Sequence, residues 1–199
     1  MAGGATLNSQ TVQAAGGSSM GGAMPAAPSR TPHQIAVDNY NSGLKQRDKA
    51  EALQVELAAE TNEKKRKKLS KKVKKSWEKA AKRYRTAIKT VPTFYQAHAS
   101  LGYALKNLGE WDEAMAAYDQ ALTFRPEYSP AIEYRAEAYL AQQRYDDVMQ
   151  SHLTLQRVDP EHAQMLEAAI MYWLKTNERN DSNGEFYDWA SAMQARLSG

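Results

Sequence analysis

Three prolines mark equal intervals along the second half of this 199-residue chain. Pro126 lies as far beyond Pro92 as Pro160 lies beyond Pro126, and after residue 32 the only other proline is Pro130. A fixed period of about 34 residues is typical of stacked structural repeats, in which each unit buries its apolar face against the next one. The spacing therefore predicts an array of short, similar units.

The unit Tyr95–Tyr128 shows what one period contains: YQAHASLGYALKNLGEWDEAMAAYDQALTFRPEY. Gly102 and Ala114 are small where two helices must approach closely, Gly109 is placed to end the first helix, and Pro126 to end the second. The apolar knobs are Leu101, Leu105, Tyr118 and Leu122. This unit closely resembles the tetratricopeptide repeat, a helix-turn-helix of about 34 residues. The resemblance implies an all-α stack of antiparallel helix pairs.

The neighbouring units depart from the pattern. The next one, 129–162, keeps small Ala136, but Arg135 stands where Leu101 stood, and its second helix is degenerate. The preceding second helix carries Trp77, Ala80, Tyr84 and Ala87 at the positions of Trp111, Ala114, Tyr118 and Ala121. Its first helix aligns only further back, at Ser42-Gly43, which leaves an insertion of 25 residues.

The inserted segment is predicted to extend both helices of the first repeat. The apolar positions 69, 73, 77, 80, 84 and 87 form a seam at helical spacing. We expect an antiparallel hairpin with its tip near 61–63, which protrudes about 18 Å beyond the body.

These units define the predicted organisation. Residues 1–32 are expected to be a flexible tail rich in Ala, Gly and Ser. Residues 33–199 are expected to be the helical domain, with about three repeats and C-terminal capping helices. The predicted parts are 33–92 with the insertion, 95–128, 129–162 and the capping helices 163–199.

Charge is distributed unevenly along the chain. Residues 64–89 carry fourteen basic side chains and one acid, Glu78, whereas residues 90–199 have a net charge of −8. The hairpin is therefore a candidate site for an anionic protein or membrane surface. The candidate residues are Lys64, Lys65, Arg66, Lys67, Lys68, Lys71, Lys72, Lys74 and Lys75. Nucleic acid is disfavoured, because no aromatic residue interrupts the lysines to stack on bases.

The resemblance also implies a concave groove lined by the first helix of each repeat. By alignment its residues are Tyr40, Leu44, Arg47, Gln96, Ala99, Tyr103, Lys106, Asn107, Glu133, Glu137 and Leu140. Some members of the family grip a partner's C-terminal carboxylate with Lys, Asn and Arg. That pattern is not met, since the corresponding positions hold Tyr40, Leu44, Ser100, Pro130 and Tyr134.

No catalytic constellation is visible. The sequence contains no cysteine, no glycine-rich phosphate loop and no paired histidines at metal-ligand spacing. We therefore predict no enzyme activity, no metal and no cofactor. His98 and His152 fall at positions that core aromatics usually fill, and both are expected to be packed.

Two functions stay open at this point. The first is an interaction adaptor, whose groove binds a peptide or helix of a partner protein and whose hairpin binds an anionic partner. The alternative is an accessory protein of a bacterial envelope that binds or carries an apolar ligand such as a lipid. The sequence predicts a soluble chain but leaves its oligomeric state and compartment open: cytoplasm or, if a signal was removed before Ala2, periplasm. Residues 1–32 lack the basic start and continuous apolar stretch of an intact signal peptide.

Overall fold

The computed structural model describes residues 30–197, and this part of the chain consists of helices and short connections. The predicted flexible tail lies outside the described residues except for its last three. The helices are α1 (Pro32–Ala59), α2 (Glu63–Thr90), α3 (Tyr95–Leu108), α4 (Trp111–Phe124), α5 (Ser129–Ala141), α6 (Tyr145–Val158), α7 (Pro160–Thr176) and α8 (Gly184–Leu197).

The helices stack as antiparallel pairs, which confirms the predicted fold class. α1 packs on α2, α3 on α4 and α5 on α6, and successive pairs contact each other through α2 and α3 and through α4 and α5. α3 also contacts α5, and α5 contacts α7. The first helices of the pairs therefore follow one another along one side of the stack, which is the concave side in such repeats.

α1 and α2 form the extended basic hairpin. Each has 28 residues, against 14 in α3 and α4, so each is about 21 Å longer at 1.5 Å per residue. Only residues 60–62 connect them, as predicted for the tip. All six predicted seam positions on α2 are buried. At the tip, Arg66 Nη1 donates hydrogen bonds to the carbonyl oxygens of Leu57 (3.1 Å) and Glu60 (2.8 Å), which end α1.

Two glycines set the closeness of the helix pairs. A Cβ at Gly102 would lie 2.6 Å from Tyr118 Cε1 and 3.0 Å from the Ala114 carbonyl oxygen. Gly43 has the same relation to the Tyr84 ring, whose Cδ1 would be 2.7 Å away. The first repeat is thus built like the second in spite of its insertion. Gly109 ends α3 with φ +80°, the left-handed conformation that glycine adopts without strain.

The degenerate repeat packs through a different chemistry. Arg135 Nη1 contacts Asp119 Oδ1 at 2.6 Å, and its guanidinium lies over the Tyr139 ring. His152 is buried, and its Nε2 lies 2.7 Å from Glu167 Oε1. The second predicted core histidine, His98, is also buried. Beyond this repeat, Phe186 and Met193 of α8 are buried against α6 and α7 and cover the end of the core.

Candidate functional site

The groove side of the stack has an aromatic and charged centre. The Tyr103 ring packs edge-on to Trp77 at 5.5 Å between centroids and lies 4.7 Å from the Tyr134 ring. Lys106 Nζ lies 4.9 Å from the centroid of Tyr103 and forms an ion pair with Glu137. Burial raises the pKa of the Tyr103 phenol, so the ring carries no charge at neutral pH. Tyr103, Lys106 and Glu137 were all predicted for the groove, and the fold brings them into contact.

A second polar contact joins the hairpin to this centre. Asn107 Nδ2 donates to the Tyr103 carbonyl oxygen at 2.9 Å, and Asn107 Oδ1 accepts from Gln54 Nε2 at 3.2 Å. Gln54 belongs to the extended part of α1. The hairpin therefore continues the groove beyond the first helices of the shorter repeats.

The predicted groove residues of α1 make mostly internal contacts. The Tyr40 ring lies 5.0 Å from Phe94 and 5.8 Å from Tyr84. Leu44 packs against the core of the first two repeats. The guanidinium of Arg47 donates to Asp48 Oδ1 through Nη2 at 2.8 Å and through Nε at 3.0 Å.

Three other residues predicted for the groove differ in how deeply they are buried. Ala99 is buried against Ala121 and Ala131, so in this structure it is a packing residue. Gln96 is half-buried near the start of α3. Leu140 is largely buried but lines a surface pocket.

Glu133 is a buried carboxyl group beneath the groove. It is 6% exposed, and its Oε2 lies 3.8 Å from His162 Nε2. Burial raises the pKa of Glu133 to about 7, and the nearby charges of Glu137 and Asp159 act in the same direction. Lys106 opposes the shift. The fold therefore binds this proton far more tightly than the unfolded chain, in which a glutamate titrates near pH 4.3.

This pKa shift predicts a pH-dependent stability. Between about pH 4.5 and 7 the folded state holds the proton of Glu133 and the unfolded state does not, so stability falls as pH rises through this window. Glu133→Gln is expected to match the parent at pH 4.5 and to be about 1–3 kcal/mol more stable at pH 8. Urea unfolding at both pH values measures this, with exposed Glu127→Gln as the control. Parallel pH profiles for parent and Glu133→Gln would contradict the assignment.

A pocket of about 470 Å³ opens between α3, α5 and α7, beside the first residue of α4. Its lining is Lys106, Asn107, Trp111, Glu137, Leu140, Ala141, Ala169, Tyr172, Trp173 and Thr176. Trp111 and Tyr172 are 38% and 71% exposed, although both are large aromatic residues. Four of the predicted groove residues lie in this lining: Lys106, Asn107, Glu137 and Leu140.

The sequence prediction missed the wall of the pocket that α7 supplies. α5 begins at Ser129, one full repeat period after the start of α3, but α7 begins already at Pro160, short of a full period after α5. Only Asp159 separates α6 from α7, and it caps α7 by accepting from the His162 backbone N–H. The buried positions of α7 nevertheless lie one full period after those of α5, as Ile170 does after Ala136, so α7 keeps the register of the repeats. Tyr172 was missed because 163–199 was assigned to capping helices. The apolar period that continues through Leu166, Ile170 and Trp173 is the sequence signal that α7 extends the stack.

The basic residues predicted on the hairpin occupy the surface of α2. All nine are exposed, but two of them also contact α1 or the tip. Arg66 binds the last carbonyl oxygens of α1, as described above, and Lys65 Nζ lies 3.8 Å from Glu60 Oε2. The other seven, Lys64, Lys67, Lys68, Lys71, Lys72, Lys74 and Lys75, form no ion pair with any residue between 30 and 197.

Between residues 30 and 197 no three metal-ligating side chains come together. Within the same range, no helix combines the length and the apolar character needed to cross a membrane.

The fold and the groove together define a class: an all-α repeat scaffold that presents a concave surface formed by successive first helices. Residues 95–128 match the family model of the tetratricopeptide repeat. This segment is therefore a tetratricopeptide repeat, and the family is in general a non-catalytic protein-interaction fold. The matched repeat supports an interaction scaffold.

No curated protein sequence matches this chain. Among solved structures it is similar to the TPR2B domain of yeast Sti1 in complex with pHsp70. The two are 19% identical with a TM-score of 0.45, and the match covers 80% of this chain and 98% of the other.

Proposed function

We propose that the concave face binds a segment of a partner protein, extended or helical, and that the pocket between α3, α5 and α7 accepts one apolar side chain of that segment. The observation that carries this proposal is the exposure of Trp111 and Tyr172 around a pocket of about 470 Å³. Pockets of about 300–1,000 Å³ with mainly apolar walls are the usual size for bound ligands. Exposed aromatic residues are the side chains that contribute most at protein interfaces.

The polar groups of the pocket favour an apolar side chain over a charged one. Lys106 and Glu137 neutralise each other, and the Asn107 side chain already bonds to Tyr103 and Gln54. Thr176 Oγ1 lies 3.1 Å from the carbonyl oxygens of Tyr172 and Trp173. A carboxylate or an ammonium group would have to disrupt one of these contacts before it gained its own.

The proposal includes the hairpin as a second, separate contact. Most of its lysines project from the side of α2 opposite the buried seam, whereas α1 belongs to the groove side. An anionic partner of the hairpin and a peptide in the groove would therefore not compete for the same surface. The alternative of a lipid carrier stays a prediction.

The test of the groove compares two pairs of exposed residues on the same helices. Trp111 and Phe124 on α4 are 38% and 40% exposed, and Tyr172 and Met165 on α7 are 71% and 46% exposed. Only Trp111 and Tyr172 line the pocket. Peptides selected from a random phage-displayed library against the parent protein would be labelled, and their Kd measured by fluorescence anisotropy.

We expect the double variant Trp111→Ala with Tyr172→Ala to weaken binding at least tenfold, because each substitution removes apolar contact with the anchoring side chain. The double variant Phe124→Ala with Met165→Ala is expected to bind within about twofold of the parent. Selected peptides without a shared apolar residue, or equal losses in both variants, would refute the pocket as the anchor site.

A further inference from the structure

One straight row of lysines runs along the outer side of α2. At 100° per residue, seven of its lysines fall within a sector about 80° wide that lies opposite the buried seam, and six of them precede Arg85. The six are Lys64, Lys68, Lys71, Lys75, Lys79 and Lys82. We call them the lysine row. From first to last the row covers about 18 residues, or about 27 Å at 1.5 Å per residue.

The lysine row is free to bind a partner. All six side chains are exposed. None of the six forms an ion pair with a residue in the range 30–197, whereas Arg85, further along the same helix, contacts Glu113 of α4 at 2.8 Å. The row therefore ends where α2 begins to pack beside α4. Glu78, one helical turn from Lys75 and Lys82, is the acidic residue of α2 that lies beside the row, and it forms no ion pair within residues 30–197.

The shape of the row distinguishes between anionic partners. A plane laid against a straight helix touches every member of such a row at once, whereas the groove of a nucleic-acid duplex surrounds a helix and would also contact the lysines on either side of the row. The row carries no aromatic side chain to stack on bases and no apolar side chain to insert into a bilayer. What remains is attraction between a line of ammonium groups and a flat sheet of negative charge.

We propose that the lysine row is a docking site for the surface of a bilayer that contains anionic phospholipids, and that it holds the scaffold there by electrostatic attraction alone. This inference rests on the hairpin contact of the proposed function and names its partner. Juxtamembrane basic residues contribute about 1 kcal/mol each at an anionic surface. Six lysines therefore suffice for reversible binding. Salt weakens this binding by screening the charges, since the Debye length is only about 10 Å at 0.1 M ionic strength.

The test removes the same number of charges from the row and from its flanks. The row variant carries glutamine at four positions: Lys64, Lys68, Lys71 and Lys75. The flank variant carries glutamine at Lys65, Lys67, Lys72 and Lys74 on the same part of α2. Circular dichroism establishes that both are folded. Sedimentation with vesicles of phosphatidylcholine, with and without about 30 mol% phosphatidylglycerol, measures binding of the full chain at about 0.1 M salt.

The parent is expected to bind the phosphatidylglycerol vesicles and not the neutral ones. The partition coefficient of the row variant should fall several hundred-fold, because four lysines contribute about 1 kcal/mol each. The fall for the flank variant should be at least tenfold smaller. Equal losses in the two variants would overturn the row as a site. So would a folded parent that ignores the anionic vesicles, or one that binds a DNA duplex more tightly than the vesicles.

Peptide binding in the groove separates this proposal from the adaptor function. The row variant should keep the peptide Kd of the parent, because the row and the pocket lie on different helices. Loss of vesicle binding with intact peptide binding supports both assignments. Intact peptide binding in a parent that never binds vesicles refutes the membrane site alone, and the absence of selectable peptides refutes the groove alone.

Discussion

Trp77→Ala is expected to lower the free energy of unfolding by about 3–5 kcal/mol, the range for loss of a buried tryptophan or phenylalanine. Trp77 is 0% exposed and is the largest of the fully buried side chains. It lies where the hairpin joins the body and contacts the Tyr103 ring edge-on. Its removal leaves a cavity that α1, α2 and α3 cannot fill together, because each is held by contacts elsewhere along its length.

The polar atom of Trp77 contributes little to this effect. Its indole N–H has no hydrogen-bond acceptor among residues 30–197, so Trp77→Phe is expected to cost only about 1–2 kcal/mol. Urea unfolding followed by circular dichroism measures both variants. Val55→Ala is the control on the hairpin, because Val55 is 73% exposed. A loss below about 1 kcal/mol for Trp77→Ala would show that the base of the hairpin is not packed as described.

Gly102→Val is expected to have the second large effect and to lower the free energy of unfolding by about 3 kcal/mol. The new side chain would overlap the Tyr118 ring, at 2.6 Å from Cε1, and would approach the Ala114 carbonyl oxygen at 3.0 Å. Tyr118 is 0% exposed and cannot move aside, so α3 and α4 must separate. Overpacking of this kind typically costs about 1–3 kcal/mol, and contact with both a ring and the backbone places this site at the upper end.

A double-mutant cycle tests the cause of that loss. Tyr118→Leu removes the ring that valine would meet, so Gly102→Val should cost at least about 1 kcal/mol less in the Tyr118→Leu background. Urea unfolding of the four proteins gives the coupling free energy. If the free-energy losses of the two single variants add up to the loss of the double variant, the close approach of α3 to the Tyr118 ring is not the reason that position 102 requires glycine. The third repeat already shows a related exchange, since Ala136 and His152 stand at the corresponding positions.

The repeat pattern was readable from the sequence because each repeat is stabilised mainly by its own helix pair. Gly43 and Tyr84 are separated by the whole insertion, yet alignment to Gly102 and Tyr118 assigned them equivalent positions, and the structure packs both pairs alike. The hairpin could be predicted from the sequence of the inserted segment for the same reason. Its seam follows the helical period without interruption, so α1 and α2 can lengthen together without any change in the body.

The groove positions were predicted in part, and the limits have physical causes. A helical period shows which face of α3 points inward, but not which charges meet across α3 and α5. The ion pair of Lys106 with Glu137 leaves neither group free for a ligand, and Ala99 packs between repeats. Arg66, one of nine similar basic residues in sequence, binds the end of α1 because the tip brings it beside those carbonyl groups.

The sequence by itself determined the repeat, the helix pairs, the length of the hairpin and the charge on α2, because these depend on periodic patterns within neighbouring segments. Only the tertiary structure decided the pocket. Its walls come from Trp111, Glu137 and Tyr172, which lie on three different helices. They come together because α4 and α7 both pack against α5. The relative placement of distant helices is set by the packing of whole side chains across the stack, and a local pattern does not contain that information.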